Sequence, residues 1–132
     1  MKKLLIVLFL FSSQSFAETV LDREEAAFLV LINNYRSQNN LEVLQISNAL
    51  TEASRWLSQD MGAQNYFRHE PDSRNRTMAI RLSEFGYSYE RYSTTIGENI
   101  AAGHESAAET FEQWKNSPGH NANMLSNRYK VI

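Results

Sequence analysis

Apolar residues recur along this chain at helical spacing in several stretches, separated by shorter segments where the period fails. Phe28, Leu31, Ile32 and Tyr35 fall at i, i+3, i+4 and i+7 and predict a helix over about 21–37, with Glu24 and Glu25 suited to its positive first turns. The polar run Ser37-Gln38-Asn39-Asn40 ends it. Leu50, Ala53, Leu57 and Met61 share one face of a second helix over about 48–61, capped by Ser47 or Asn48, with Trp56 on its flank as a core residue. A third, over about 77–85, carries Met78, Leu82 and Phe85, and Gly86 is placed to stop it. Ser106 and Glu109 read as a capping box, opening a helix whose stripe is Ala107, Thr110, Phe111 and Trp114, while Glu109, Glu112 and Lys115 face water. Asn116 to Gly119 end that helix. Because proline at a first helical position sacrifices no hydrogen bond, Ser117-Pro118 starts a short helix over about 118–125. His120 then lies in a first turn, where the helix dipole favours the neutral ring.

Between the helices the pattern changes. Leu41 to Ile46 alternates imperfectly and predicts an extended segment laid on the core, and Gly97 to Gly103 reads as a short strand bounded by glycines. Tyr87, Tyr89 and Tyr92 read as strand or core residues, with a cleft lining as the alternative. From 62 to 77 the residues Arg68, His69, Glu70, Asp72, Arg74 and Arg76 crowd around Pro71. That is a loop: a solvated charged one on the plain reading, a functional one on the other. No internal repeat or interdomain linker interrupts the chain, so it reads as one domain.

The first residues follow a separate logic. Lys2 and Lys3, the apolar run Leu4 to Phe11, and Ser15-Phe16-Ala17 form the three parts of a cleavable secretory signal over 1–17, with cleavage after Ala17. The run is too short to cross a bilayer, which takes about 20 residues, so no stable membrane span is expected once the signal is removed. Cleavage takes two lysines and shifts the net charge from −2 to −4, a balance unsuited to nucleic acid. There is no cysteine, so an exported domain of this kind relies on packing alone.

Four strings, NNYR, YFRHEPDSR, GENIAAG and WKNSPGHNANML, together resemble the CAP superfamily, also called the SCP domain, in its bacterial cysteine-free branch. The resemblance spans about residues 24–132. It implies an α+β fold, a three-layer α-β-α sandwich with a cleft lined by histidine and glutamate, found in secreted proteins. His69 occupies the aromatic-x-His position that supplies the superfamily's first cleft histidine. Many members add a second glutamate three residues after the helix tryptophan, where this chain has Ser117. Members also continue beyond the equivalent of Tyr129 to Ile132 with further strands. Residues 18–132 are therefore expected to form a CAP domain lacking its C-terminal strands, with an open apolar edge that invites self-association.

The candidate site is His69, Glu98 and His120, brought together only by folding. Glu98 stands between Gly97 and Ile100, and a carboxylate in such an apolar setting needs a partner. Two imidazoles and a carboxylate suit zinc or another divalent cation with an open coordination position. Equally, Glu98 accepting hydrogen bonds from both histidines would tie three elements together without metal. His104 falls outside the matched positions and is expected to be exposed. Ser117 beside His120 lacks a Gly-x-Ser-x-Gly elbow and reads as a helix cap. The resulting expectation is a secreted or periplasmic binding module for a divalent ion, a small apolar or lipid-like ligand, or a cell-envelope component. The alternative is a zinc-assisted hydrolase or peptidase acting on extracellular or cell-envelope substrates, with Glu98 as its catalytic general base or as a ligand of the ion.

Overall fold

The computed structural model describes residues 19–88 and 95–132; the signal read at 1–17, and with it Tyr89 and Tyr92, lies outside them. Five helices are described: α1 (Arg23–Gln38), α2 (Asn48–Gln64), α3 (Met78–Glu84), α4 (Ala107–Lys115) and α5 (Pro118–Met124). Each stands within three residues of its predicted bounds.

Their caps show why. Asp22 and Glu25 make a reciprocal capping box at the start of α1, each accepting from the other's backbone N–H at 2.8 Å. Ser47 caps α2 and Thr77 caps α3. At α4 the expected box is altered. Ser106 Oγ accepts from the Glu109 N–H at 3.3 Å, and Glu109 accepts from the Ser106 hydroxyl at 2.9 Å and from the Glu105 N–H at 3.4 Å. The next free donor, the Ala107 N–H, is taken at 2.8 Å by the Glu24 carboxylate of α1. Gly86, at φ 89°, turns the chain out of α3 as predicted.

The predicted stripes pack against each other. Phe111 of α4 is buried with Ile32, Leu44 and Met124, and Phe28, Tyr35 and Trp114 close around it. Phe28 meets Trp114 edge-on at 5.1 Å, and Tyr35 meets Phe111 edge-on at 5.6 Å. In α2 the residues Ala53, Leu57 and Met61 are buried. Trp56 packs on Phe85 and lies under the guanidinium groups of Arg74 and Arg76. Arg55 of α2 grips both oxygens of Glu25, tying α2 to α1 and holding that carboxyl below its ordinary range. A groove of about 700 Å³ runs between the helices and the 95–101 segment, lined by Phe28, Ile32, Leu50, Met61, Leu82 and Trp114 among others.

The β component among the described residues is one parallel bridge, Gln45 with Val131, in which residues 45 and 47 exchange backbone hydrogen bonds with 130 and 132. This matches the extended segment predicted at 41–46. The strand predicted over 97–103 does not form. Its polar backbone is satisfied by side chains instead: Trp114 Nε1–H donates to the Ile100 carbonyl at 3.3 Å and Asn123 donates to the Glu98 carbonyl at 3.5 Å.

Arg36 is the largest surprise of the interior. Only 1% exposed, it donates to the carbonyls of Glu42, Met124 and Ser126 at 2.8 to 2.9 Å and reaches that of Tyr129 at 3.4 Å. It thereby satisfies the carbonyl groups at the end of α5, which a helix leaves unpaired.

Candidate functional site

The charged loop before α3 is not the solvated loop of the plain reading. Asp72 and Arg76 are buried, while His69, Glu70 and Arg74 stay exposed. Asp72 organises the turn: its Oδ1 accepts the N–H groups of Arg74 and Arg76 at 3.0 and 3.1 Å, and its Oδ2 accepts Arg76 Nε at 2.9 Å. Burial pushes the Asp72 carboxyl up, but these backbone and guanidinium donors outweigh it and hold the group below the ordinary carboxylate range. Glu70 accepts the first N–H of α3, from Met78, at 2.7 Å. These bonds fix the stretch that carries His69.

The Gly97 to Ala102 segment is fixed from the other side. A side chain at Gly97 would collide with the ring of Tyr129, whose Cζ lies 2.9 Å from the position a Cβ would take. Asn99 donates to the His120 carbonyl at 3.1 Å, and Asn123 donates to Asn99 Oδ1 at 2.8 Å. Glu98 and the first turn of α5 are thus held by two asparagines of the GENIAAG and SPGHNANML strings. Ser117 occupies the N-cap position of α5, yet its hydroxyl makes no capping bond; Pro118 at N1 starts the helix.

Glu98 has the partner its setting required, and it has two. Oε1 lies 3.0 Å from His69 Nδ1, and Oε2 accepts Arg81 Nη2 at 2.5 Å. Arg81 is 1% exposed, and its other terminal nitrogen lies 3.6 Å from Asp72 Oδ2, an ion pair without a hydrogen bond. The sequence reading passed over Arg81. Its signal was its position, for Met78, Arg81, Leu82 and Phe85 fall on one helical stripe, where a charge is out of place unless paired.

His120 does not share Glu98 with His69. Its ring lies against Trp114 at 5.9 Å, and its Nδ1 is buried without a hydrogen-bond partner. Both imidazoles nonetheless line one cleft of about 330 Å³, whose walls include Phe67, Ile100, Ala101, Ala102 and Gln113. Among the described residues no group of three His, Cys, Asp or Glu side chains is arranged to hold a metal ion. His104 is exposed, as predicted.

The model of the cysteine-rich secretory protein family, CAP, matches residues 29–132. The chain belongs to the CAP family. It is similar to the uncharacterized protein YkwD of Bacillus subtilis, 35% identical over 108 residues, covering 82% of this chain and 40% of that protein. It is also 30% identical over 105 residues to YlbC of the same organism, an uncharacterized membrane protein, covering 80% of this chain and 29% of YlbC. Among solved structures it resembles an extracellular protein containing an SCP domain from Bacillus anthracis, with a TM-score of 0.72 at 26% identity, covering 86% of this chain and 40% of that one. The CAP chain thus spans less than half the length of the curated relatives it matches. The segments that position the cleft, from His69 to His120, all lie inside the matched range. No helix among the described residues is long and apolar enough to cross a membrane.

Proposed function

We propose that this CAP domain is an exported binding module whose cleft takes its ligand between His69 and His120. The observation that carries the reading is the double engagement of Glu98: His69 holds one carboxylate oxygen and Arg81 the other. A carboxylate so occupied orients an imidazole well and serves poorly as a free proton acceptor. The zinc-assisted hydrolase, which needs Glu98 free as a base or as a ligand, therefore takes second place.

Two ligand types suit the walls. The donor set fits a divalent ion only in part: His69 Nε2 is not engaged by Glu98, the His120 nitrogen without a partner is buried, and Glu98 stands behind His69 instead of on the ion. A bound ion would supply a Lewis acid for an oxygen atom of a larger ligand. The apolar wall of Phe67, Ile100, Ala101 and Ala102 suits a small apolar or lipid-like molecule.

Calorimetry with zinc chloride near neutral pH, and titration with dodecanoate followed by amide shifts at residues 100–102, separate the two. Saturable zinc binding that weakens in mildly acidic buffer and disappears in His120→Ala is expected for the ion. Shifts confined to the cleft are expected for the fatty acid. The absence of both responses overturns the binding reading, and metal-dependent turnover lost in Glu98→Gln would establish the hydrolase.

A further inference from the structure

Behind the cleft lies a line of charges that the binding reading does not by itself require. It runs from Asp72 in the loop, through Arg81 on α3, to Glu98 in the central segment and on to His69 at the rim. The side chains become steadily more exposed along it: 0% for Asp72, 1% for Arg81, 18% for Glu98 and 52% for His69. A buried ion pair is a weak source of net stability, since desolvation offsets most of the attraction, so such a line is not explained by stability alone.

We propose that Arg81 is a positioning residue that sets the tautomer of His69 through Glu98. The argument is one of donors and acceptors. An arginine has only hydrogens to give, so Arg81 must donate into Glu98 Oε2; that bond fixes the carboxylate with Oε1 turned to His69, and a carboxylate oxygen offers only lone pairs. His69 Nδ1, 3.0 Å from Oε1, must then carry the ring hydrogen. Nε2 is left with its lone pair, and His69 lines the cleft. Without a partner at Nδ1 the ring would exchange between tautomers, and rotation of the exposed side chain would carry the acceptor nitrogen away from the cleft. Asp72 faces the other terminal nitrogen at 3.6 Å, an ion pair that adds attraction but no hydrogen bond. Lysine, a single point of charge, can pair with Glu98 or Asp72 but not face both.

This inference rests on the binding reading only in giving the free Nε2 a purpose, and its test needs no ligand. Two-bond nitrogen–proton correlation spectra of the ¹⁵N-labelled chain at neutral pH distinguish the two imidazole tautomers directly. In the unmodified chain His69 is expected as the Nδ1–H form, with His120 as an internal reference. In Arg81→Gln the His69 signals should move to the averaged positions of an unrestrained ring while those of His120 stay, and Arg81→Lys should recover part of the Nδ1–H form. A folded Arg81→Gln with His69 unchanged overturns the proposal. So does an Nε2–H tautomer in the unmodified chain, a result that stands even where the variant fails to fold. If the tautomer follows Arg81 while neither zinc nor dodecanoate binds, the positioning role survives and the binding reading falls. If a ligand binds equally in Arg81→Gln with the tautomer unchanged, the reverse holds.

Discussion

Gly97→Ala isolates the tightest approach in the site. The methyl group would sit on the Tyr129 phenol, 2.9 Å from Cζ and closer still to the hydroxyl, so the ring must move by about 1 Å to restore ordinary contact. Tyr129 is packed on the Ile32, Leu44, Phe111 and Met124 cluster and cannot swing freely. Overpacking of this kind costs about 1–3 kcal/mol, and the stiffer unfolded chain of the alanine variant returns about 0.4–1 kcal/mol of it. The net expectation is a loss of about 1–2 kcal/mol, or a Tm lower by roughly 5–10 °C for a domain of this size. Denaturant melts followed by the fluorescence of Trp56 and Trp114 measure it, with a double-mutant cycle through Tyr129→Phe. Because removing the hydroxyl removes the worst overlap and leaves the ring, that cycle should return about half of the loss as coupling energy. An alanine variant as stable as the parent, or a coupling near zero, would refute the reasoning from close approach.

Two further outcomes follow from the charges and the leader. Asp72 has a carboxyl held below its ordinary range, so its contribution is complete above that range and is lost as pH falls through the depressed value. Asp72→Asn should therefore cost about 3 kcal/mol near neutral pH and flatten the acid limb of the stability curve, measured by urea melts from neutral to strongly acidic buffer. The leader read at residues 1–17 predicts a mature chain beginning at Glu18 outside the cytoplasm, and N-terminal sequencing of the exported protein showing Met1 would end that expectation.

Those residues whose environment is local were legible in the sequence. Phe28, Ile32, Phe111 and Trp114 announce their faces by spacing, and the caps at Ser47, Thr77 and Ser106 sit three residues from the N–H groups they receive. The Asp22–Glu25 box was visible in the same way, though only Glu24 and Glu25 were read, and for their charge. Glu98 was legible as a carboxylate in need, but its main partner was not, because Arg81 is brought to it across 17 residues by the docking of α3. The strand at 97–103 failed for a related reason. Spacing reports which side chains are apolar, and it is silent on whether Trp114 and Asn123 will claim the carbonyls that a neighbouring strand would otherwise take.

Arg36 bears on the order of events as the chain is made. Its guanidinium is accepted by carbonyls 88, 90 and 93 residues further along, at Met124, Ser126 and Tyr129. Until those residues emerge, burial of α1 would leave the guanidinium with the Glu42 carbonyl alone and its terminal nitrogens without acceptors, which costs more than leaving the helix in water. Docking of α1 therefore waits for the stretch from Met124 to Tyr129, and closing so long a loop is slow.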